Sequence, residues 1–473
     1  MKRSTWILYG VFASLPLGAS GGCSSSDEDV DDAPPSAIES DSQSDATPPS
    51  DSPIEAAPPP LSSLGHIVVI FMENHSFDNL YGSYPGAEGL SSGSAKIPQL
   101  DPSSGNPYST LPQTDSNIPT NLPNEPFDIT NHAPLHQATK DLTHRYYQEI
   151  AQINAGAMNL FVANNSSKGL ALGYYPTDSL PVVQLIRTMS GNVTVCDHFF
   201  HGAFGGSFLN HQWLIAAATP YWEDCPADKR AVIDSSGKVT KDGTCTPDGY
   251  AVNTTVPTNA PTSSGGTKLP VLTGTTIGDQ LTGAGIDWAW YSAGWNDAAG
   301  GNPPSGFTFH HQPFVYYAPY AGGQPGRAHL KDEADFLAAA KNGSLPPVSF
   351  VKPLGGVNEH PGANLQKGQE KAVELIKAVV DGPNWDDAAV IVTYDENGGY
   401  WDHVAPPTKD KWGPGTRIPA IVFSKHARGG VDKTVYDTTS ILRLIGKRWG
   451  LKPLNERVAG QNDLSSHAMI FTD

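Results

Sequence analysis

The sequence predicts an α/β domain built on a mostly parallel central sheet, with helices on both faces and long loop insertions. Two observations lead there. Short apolar runs recur along the chain, beginning with Ile67-Val68-Val69-Ile70-Phe71-Met72, and each ends abruptly in polar residues. Continuous β-branched runs of that length fit strands buried on both faces. Stretches of helical character separate them, and that alternation marks crossover-connected parallel strands. In open sheets of this kind, ligands bind just beyond the carboxyl ends of the strands. The polar residues that close each run are therefore the first candidates for chemistry.

The chain opens with Lys2 and Arg3, an apolar segment from Trp6 to Leu17, small residues to Gly22, and then Cys23. This is a secretory signal layout, short for a membrane span. Residues 1–22 are expected to be a signal peptide. Cys23 followed by Ser24-Ser25-Ser26 resembles a bacterial lipoprotein signal, although Ser20 stands where that signal usually has Leu. Lipidation of Cys23 and ordinary cleavage nearby are both open. Export is expected either way: an outer-membrane or cell-surface lipoprotein, otherwise a periplasmic or secreted protein.

Residues 23–63 read as an acidic Ser/Pro-rich linker. Ser24–Pro60 carries ten acidic residues, no Lys or Arg, and almost no large apolar side chain. Such a composition cannot bury enough surface to offset chain entropy and is expected to be disordered. Much of the formal charge of −18 belongs to it. Neither this stretch nor the rest shows the basic face of a nucleic-acid binder. Residues 64–473 contain no internal repeat and no second linker, and read as one domain with substantial insertions. Cys225 and Cys245 flank a polar loop that they could staple, as an exported location permits. Cys196 is expected as a small buried hydrophobe. No Cys-X-X-Cys occurs, which disfavours a thiolate zinc site.

Further strands are expected at Asp287–Tyr291, Pro347–Val351, Ala388–Tyr394 and Ile418–Phe423, with helices at Ile277–Leu281, Asp332–Lys341 and Gln369–Val380. Glu73 and Asn74 follow the first run. A carboxylate and an amide oxygen there suit a hard or borderline cation, or equally a helix cap and a turn. Asp395 and Glu396 end the run Ala388–Tyr394, with Gly398-Gly399 behind them. Two adjacent carboxylates beside an apolar sheet repel each other unless a cation sits between them; the alternative is a helix N-terminus complemented by acids. Ser207 follows Gly205-Gly206 and opens a helix expected over Phe208–Ala218. That places a hydroxyl for nucleophilic attack, or for simple helix capping. Leu209 stands two residues after Ser207, so this is not a Gly-X-Ser-X-Gly elbow. His144, His198, His201, His211, His310-His311, His360 and His403 all lie near turns, suited to holding an anion and moving protons.

Together these segments resemble a known family. Glu73-Asn74-His75-Ser76-Phe77-Asp78, Asn358-Glu359-His360-Pro361, and Asp395-Glu396-Asn397-Gly398-Gly399 through Asp402-His403 are similar to the bacterial phosphoesterases that include phosphatidylcholine-type phospholipases C and acid phosphatases. That family is related in fold to the alkaline phosphatases and sulfatases. Asp141-Leu142-Thr143-His144, with Asn154–Met158 after it, resembles a further block. The similarity runs from His66 to about Val404. Gly205–His211 stands where the phospholipase branch typically has Thr-Asn-Pro-Asn-Arg, which is closer to the acid phosphatase branch. The chain also ends soon after these motifs, at Asp473, so the extra C-terminal domains common in the phospholipases are not expected.

The resemblance implies an alkaline-phosphatase-like fold and an exported, metal-dependent acid phosphatase acting on a phosphorylated small molecule. Glu73, Asn74, Asp395, Glu396 and Ser207 would hold one divalent ion: calcium, zinc, magnesium or manganese. Ser207 would be the nucleophile, passing through phosphoserine. His144, His311 and His360 would line the phosphoryl oxygens, with mildly acidic pH favoured if they must be protonated. A phospholipase C acting on phosphodiester head groups is the alternative. A non-catalytic surface-binding lipoprotein is a third, against which the retention of every polar position speaks. No nucleic acid is expected as a partner, and a membrane only through an N-terminal anchor.

Overall fold

The apolar runs form the middle of an eight-stranded sheet. A computed structural model describes residues 58–472; the expected signal peptide, Cys23 and the linker up to residue 57 lie outside the described residues. The strands are β1 (His66–Met72), β2 (Val193–Phe200), β3 (Trp288–Ser292), β4 (Leu330–Asp332), β5 (Val348–Lys352), β6 (Ala388–Tyr394), β7 (Ala420–Ser424) and β8 (Gly430–Asp437). Their spatial order is β4-β3-β5-β1-β6-β7-β2-β8. Every neighbouring pair is parallel except those of β7, which runs antiparallel to both β6 and β2. The expected α/β class with a mostly parallel sheet is therefore observed.

Strand β1 lies between β5 and β6, with Val69 opposite Phe350 on one side and Ile391 on the other. Ile67 to Met72 are fully buried. Each such side chain contributes about 1.5–3 kcal/mol relative to exposure, which is why the longest apolar runs occupy the centre. The helices gather in two packed sets, as a sheet covered on both faces requires. Pro181–Thr188 and Glu333–Asn342 pack on Leu365–Val380; Ile277–Gly283 and Thr438–Trp449 pack on Ser207–Ala216. In Leu365–Val380 the buried positions Leu365, Ala372, Leu375, Ile376 and Val379 recur at helical spacing, and the Asn364 side chain caps the first turn by accepting from Lys367 N–H.

Three strands lacked a signal in the sequence. β4 is three residues long and β8 is half exposed, so neither has an apolar run. β2 carries Asp197 and His198 within it, which broke its pattern. At the start of the body, the linker boundary at residue 63 moves inward: Leu61 is buried and its N–H donates to Thr472 O at 2.8 Å. Leu61 and Leu64 are apolar enough to pack. Cys225 and Cys245 are joined in a disulfide, and Cys196 is free and buried. Among the described residues, no helix is long and apolar enough to cross a membrane.

Candidate active site

Two strand ends meet where the sheet places them. Asp395 N–H donates to Met72 O, and Glu73 N–H donates to Asn358 O, both at 3.0 Å. Asn74 then turns into the left-handed region, φ 64°. Its backbone N–H donates to Asp395 Oδ1 at 3.1 Å and its Nδ2 to Glu396 Oε1 at 2.6 Å. Gly398 is needed beside it: a Cβ there would lie 2.2 Å from Asn74 O, at a φ of +62°. Ser76, the other serine in a motif, caps the helix Phe77–Tyr81 by accepting from Asn79 N–H.

Ser207 is the first residue of its helix, with Gly206 as the N-cap residue. It is therefore not a capping serine, and its Oγ donates to Glu396 Oε1 at 3.4 Å. Gly205 allows the close approach of the segment bearing His144, since a Cβ there would meet Tyr146 N at 2.8 Å, at φ +96°. A cavity of about 880 Å³ opens over Ser207. Glu73, His144, His310, His311 and His360 line it together with Asp141, Arg145, Phe208 and Asn358. Asn74, Asp395 and Glu396 lie behind that wall, all fully buried.

The acids are electrostatically uneven. Burial pushes Asp395 up to about 6 with the help of the Glu73 charge, and burial with Asp395 holds Glu396 well above its ordinary range. Burial would raise Glu73 too, but contact with His311 and the Lys352 charge outweigh it and hold this carboxyl well below that range. Lys352 Nζ is 2.5 Å and His311 Nε2 2.7 Å from Glu73 Oε1. Asn74 Oδ1 and Asp395 Oδ2 are buried without a hydrogen-bond partner. Unpartnered buried oxygens beside mutually repelling carboxylates fit a hard cation, whose charge would reverse the upward shifts. The donor set Glu73, Asn74, Asp395, Glu396 and Ser207 is thus chemically suited to one.

His144 and His360 meet edge to face in the cavity lining, ring centroids 6.0 Å apart. Each donates Nδ1–H to a backbone carbonyl, of Leu142 at 2.7 Å and Pro361 at 2.6 Å, which leaves both Nε2 atoms for a ligand. His144 Nε2 is 4.0 Å from Glu396 Oε1. Burial, with the Lys352 charge, pushes His311 down to about 4. That ring is neutral at mildly acidic pH, so the expected acid preference does not follow from it. His198, His201 and His403 are outside the cavity, paired with Glu88, Glu149 and Asp78. Sequence reasoning missed Lys352. Its signal was a lysine closing the apolar run Val348–Val351, which a fully buried strand carries only with a partner.

A family model described as the phosphoesterase family matches residues 64–452. The chain belongs to the phosphoesterase family. Phospholipase C B of Mycobacterium tuberculosis is 26% identical over 429 residues, covering 83% of this chain and 74% of that protein. The non-hemolytic phospholipase C of Burkholderia pseudomallei is 26% identical over 439 residues, covering 82% of this chain and 55% of its own length. A solved protein of the alkaline phosphatase superfamily from Vibrio parahaemolyticus overlays with a TM-score of 0.34 at 9% identity, covering 80% of this chain and 79% of its own. This phosphoesterase is a phosphoric ester hydrolase.

Proposed function

We propose that this phosphoesterase is a metal-dependent phosphomonoesterase of the acid phosphatase type, with Ser207 as nucleophile. The observation that carries the reading is the position of Ser207 on the first turn of its helix, at the wall of a cavity that it shares with Glu73, His144, His311 and His360. Glu73, Asn74, Asp395, Glu396 and Ser207 would hold one divalent ion of calcium, zinc, magnesium or manganese, which would supply positive charge beside Oγ and the phosphoryl oxygens. Ser207 Oγ attacks phosphorus in line and the bond to the alcohol oxygen breaks, leaving phosphoserine. Water then displaces Oγ and releases phosphate. Phosphoryl transfer asks chiefly for positioning and charge neutralisation. With Nδ1–H committed to a backbone carbonyl, Nε2 of His144 or His360 faces the cavity and, when the ring takes up a second proton, would direct it towards a phosphoryl oxygen or the departing alcohol.

A phosphomonoester is favoured over a phosphocholine head group by the lining itself. Among the described residues, Phe208 is the one aromatic ring other than the histidines in it, too few to cage a quaternary ammonium. Phospholipase C activity is the second reading, supported by the phospholipases C among its relatives. A chromogenic phosphomonoester and phosphatidylcholine vesicles, assayed side by side with products separated by thin-layer chromatography, decide between them. Faster turnover of the monoester is expected; diacylglycerol as the main product would move the assignment to the phospholipases. Export with a lipid anchor on Cys23 belongs to the same reading, and the absence of incorporated radioactive palmitate in the native host would remove the anchor.

A further inference from the structure

Glu73, His211 and His311 bring a carboxylate oxygen and two imidazole nitrogens within 4.8 Å of one another, and all three residues are buried. Two imidazoles and a carboxylate form a donor set for zinc-like ions. Lys352 stands against it. This side chain is fully buried at the end of β5, with Nζ 2.5 Å from Glu73 Oε1 and 5.4 Å from the centre of the Phe71 ring. His311 Nε2 lies 2.7 Å from the same oxygen. The His211 ring is held by stacking on His311, centroids 4.8 Å apart and 4° from parallel. His211 Nδ1–H donates to Ser207 O at 2.7 Å, which leaves Nε2 as a bare lone pair. That Nε2 has no hydrogen-bond partner although the residue is fully buried. An unused lone pair beside a carboxylate and an ammonium is what remains where a cation position has been filled by a side chain.

We propose that the Lys352 ammonium occupies a second cation position, formed by Glu73, His211 and His311, and thereby restricts the active site to a single divalent ion. For the count in the native chain this rests on the one-ion reading above. The charges agree with it. Glu73, Asp395 and Glu396 bring three negative charges when ionised, which one divalent ion and one ammonium balance. Without the ammonium, Glu73 is buried with no cationic side chain beside it. A zinc ion bound there would take its place, with His311 giving its Nε2 lone pair to the ion and the ring proton residing on Nδ1.

The test compares the full-length native protein with Lys352→Met. Both are loaded with excess zinc, desalted, and their zinc content per chain is measured by elemental analysis. Lys352→Met should hold one ion more than the native protein, and Lys352→Met combined with His211→Ala should lose that additional ion. Equal content in the native protein and Lys352→Met overturns the inference, as does an additional ion that persists without His211. If Lys352→Met folds only when zinc is present throughout purification, a folded protein with the additional ion supports it; failure to fold with zinc overturns it. A native protein that binds no zinc, calcium, magnesium or manganese would count against the one-ion reading. The difference between the two proteins would still decide the role of Lys352.

Discussion

Two buried clusters of charge flank the end of β1, and they differ in how completely their atoms are used. Around Glu73, the site leaves Asn74 Oδ1, Asp395 Oδ2 and His211 Nε2 without partners. Around Arg417, the opposite holds. Its Nε donates to Asp402 Oδ1 and Oδ2 at 3.0 and 3.1 Å, Nη2 to Asp78 Oδ1 at 3.0 Å, and Nη1 to Asp197 Oδ1 at 3.2 Å. The remaining oxygens are taken as well: Asp78 Oδ2 by His403 Nδ1, Asp402 Oδ2 by Asp78 N–H and Asp197 Oδ2 by Glu88 N–H. Asp78, Asp402 and His403 also have donor atoms at metal-ligand separations, yet these are committed to protein groups. Burial and charge density are alike in the two places. Satisfaction separates them: one cluster is closed and ties segments together, and the other is kept open for ligands.

Damage to the open cluster should therefore remove turnover and spare the fold, and damage to the closed one should do the reverse. Ser207→Ala is expected to lower turnover by several orders of magnitude, up to about 10⁶, at an unchanged thermal midpoint. Acid quench of the wild type with labelled substrate should trap phosphoserine at Ser207; label on a histidine would refute the mechanism. Asp395→Asn should lose bound metal and activity, yet metal-free protein should unfold no earlier than the metal-free wild type, because a repelled carboxylate has become neutral. A variant with full metal content and normal turnover would take Asp395 out of the site. Arg417→Met leaves three acids without their cation and should lower unfolding free energy by about 3–5 kcal/mol in urea titrations. A loss under about 1 kcal/mol, the range of exposed pairs, would erase the contrast.

Glu359 supplies the sharpest test. It accepts from Tyr394 Oη at 2.8 Å and Gln369 Nε2 at 3.0 Å, with no cation beside it. Burial pushes its carboxyl from 4.5 up to about 8. The native state then holds one more proton than the unfolded chain between these values. The resulting stabilisation is complete below pH 4.5 and is lost as the pH rises through about 8, with a slope of up to about 1.4 kcal/mol per pH unit. Glu359→Gln should flatten that slope in urea unfolding measured at several pH values. Parallel slopes for the two proteins would show that Glu359 is ionised in the native state.

The centre of the fold was legible because β1, β5 and β6 are continuous apolar runs, and β1 and β6 end in a switch to acids. The edges were not: β4 is short and β8 is half exposed, so pairing with a neighbour, rather than local pattern, makes them strands. In the site, Glu73, Asn74, Ser207, Asp395 and Glu396 were visible as polar residues at strand or helix ends. Lys352 was not, since a single lysine after an apolar run looks like the first solvated residue of a loop. Among the histidines, His144 and His198 look alike in sequence. Only the fold turns one to the cavity and the other to Glu88.

The position of β1 also governs when the protein can become whole. It is the first strand of the sheet to be synthesised, but its neighbours begin at Val348 and Ala388. Until those arrive, the segment His66–Met72 has both edges bare, and a long apolar edge is a template for pairing with other chains. A chain stopped before Ala388 has no strand to place on one side of β1, so truncated products should be insoluble rather than partly active.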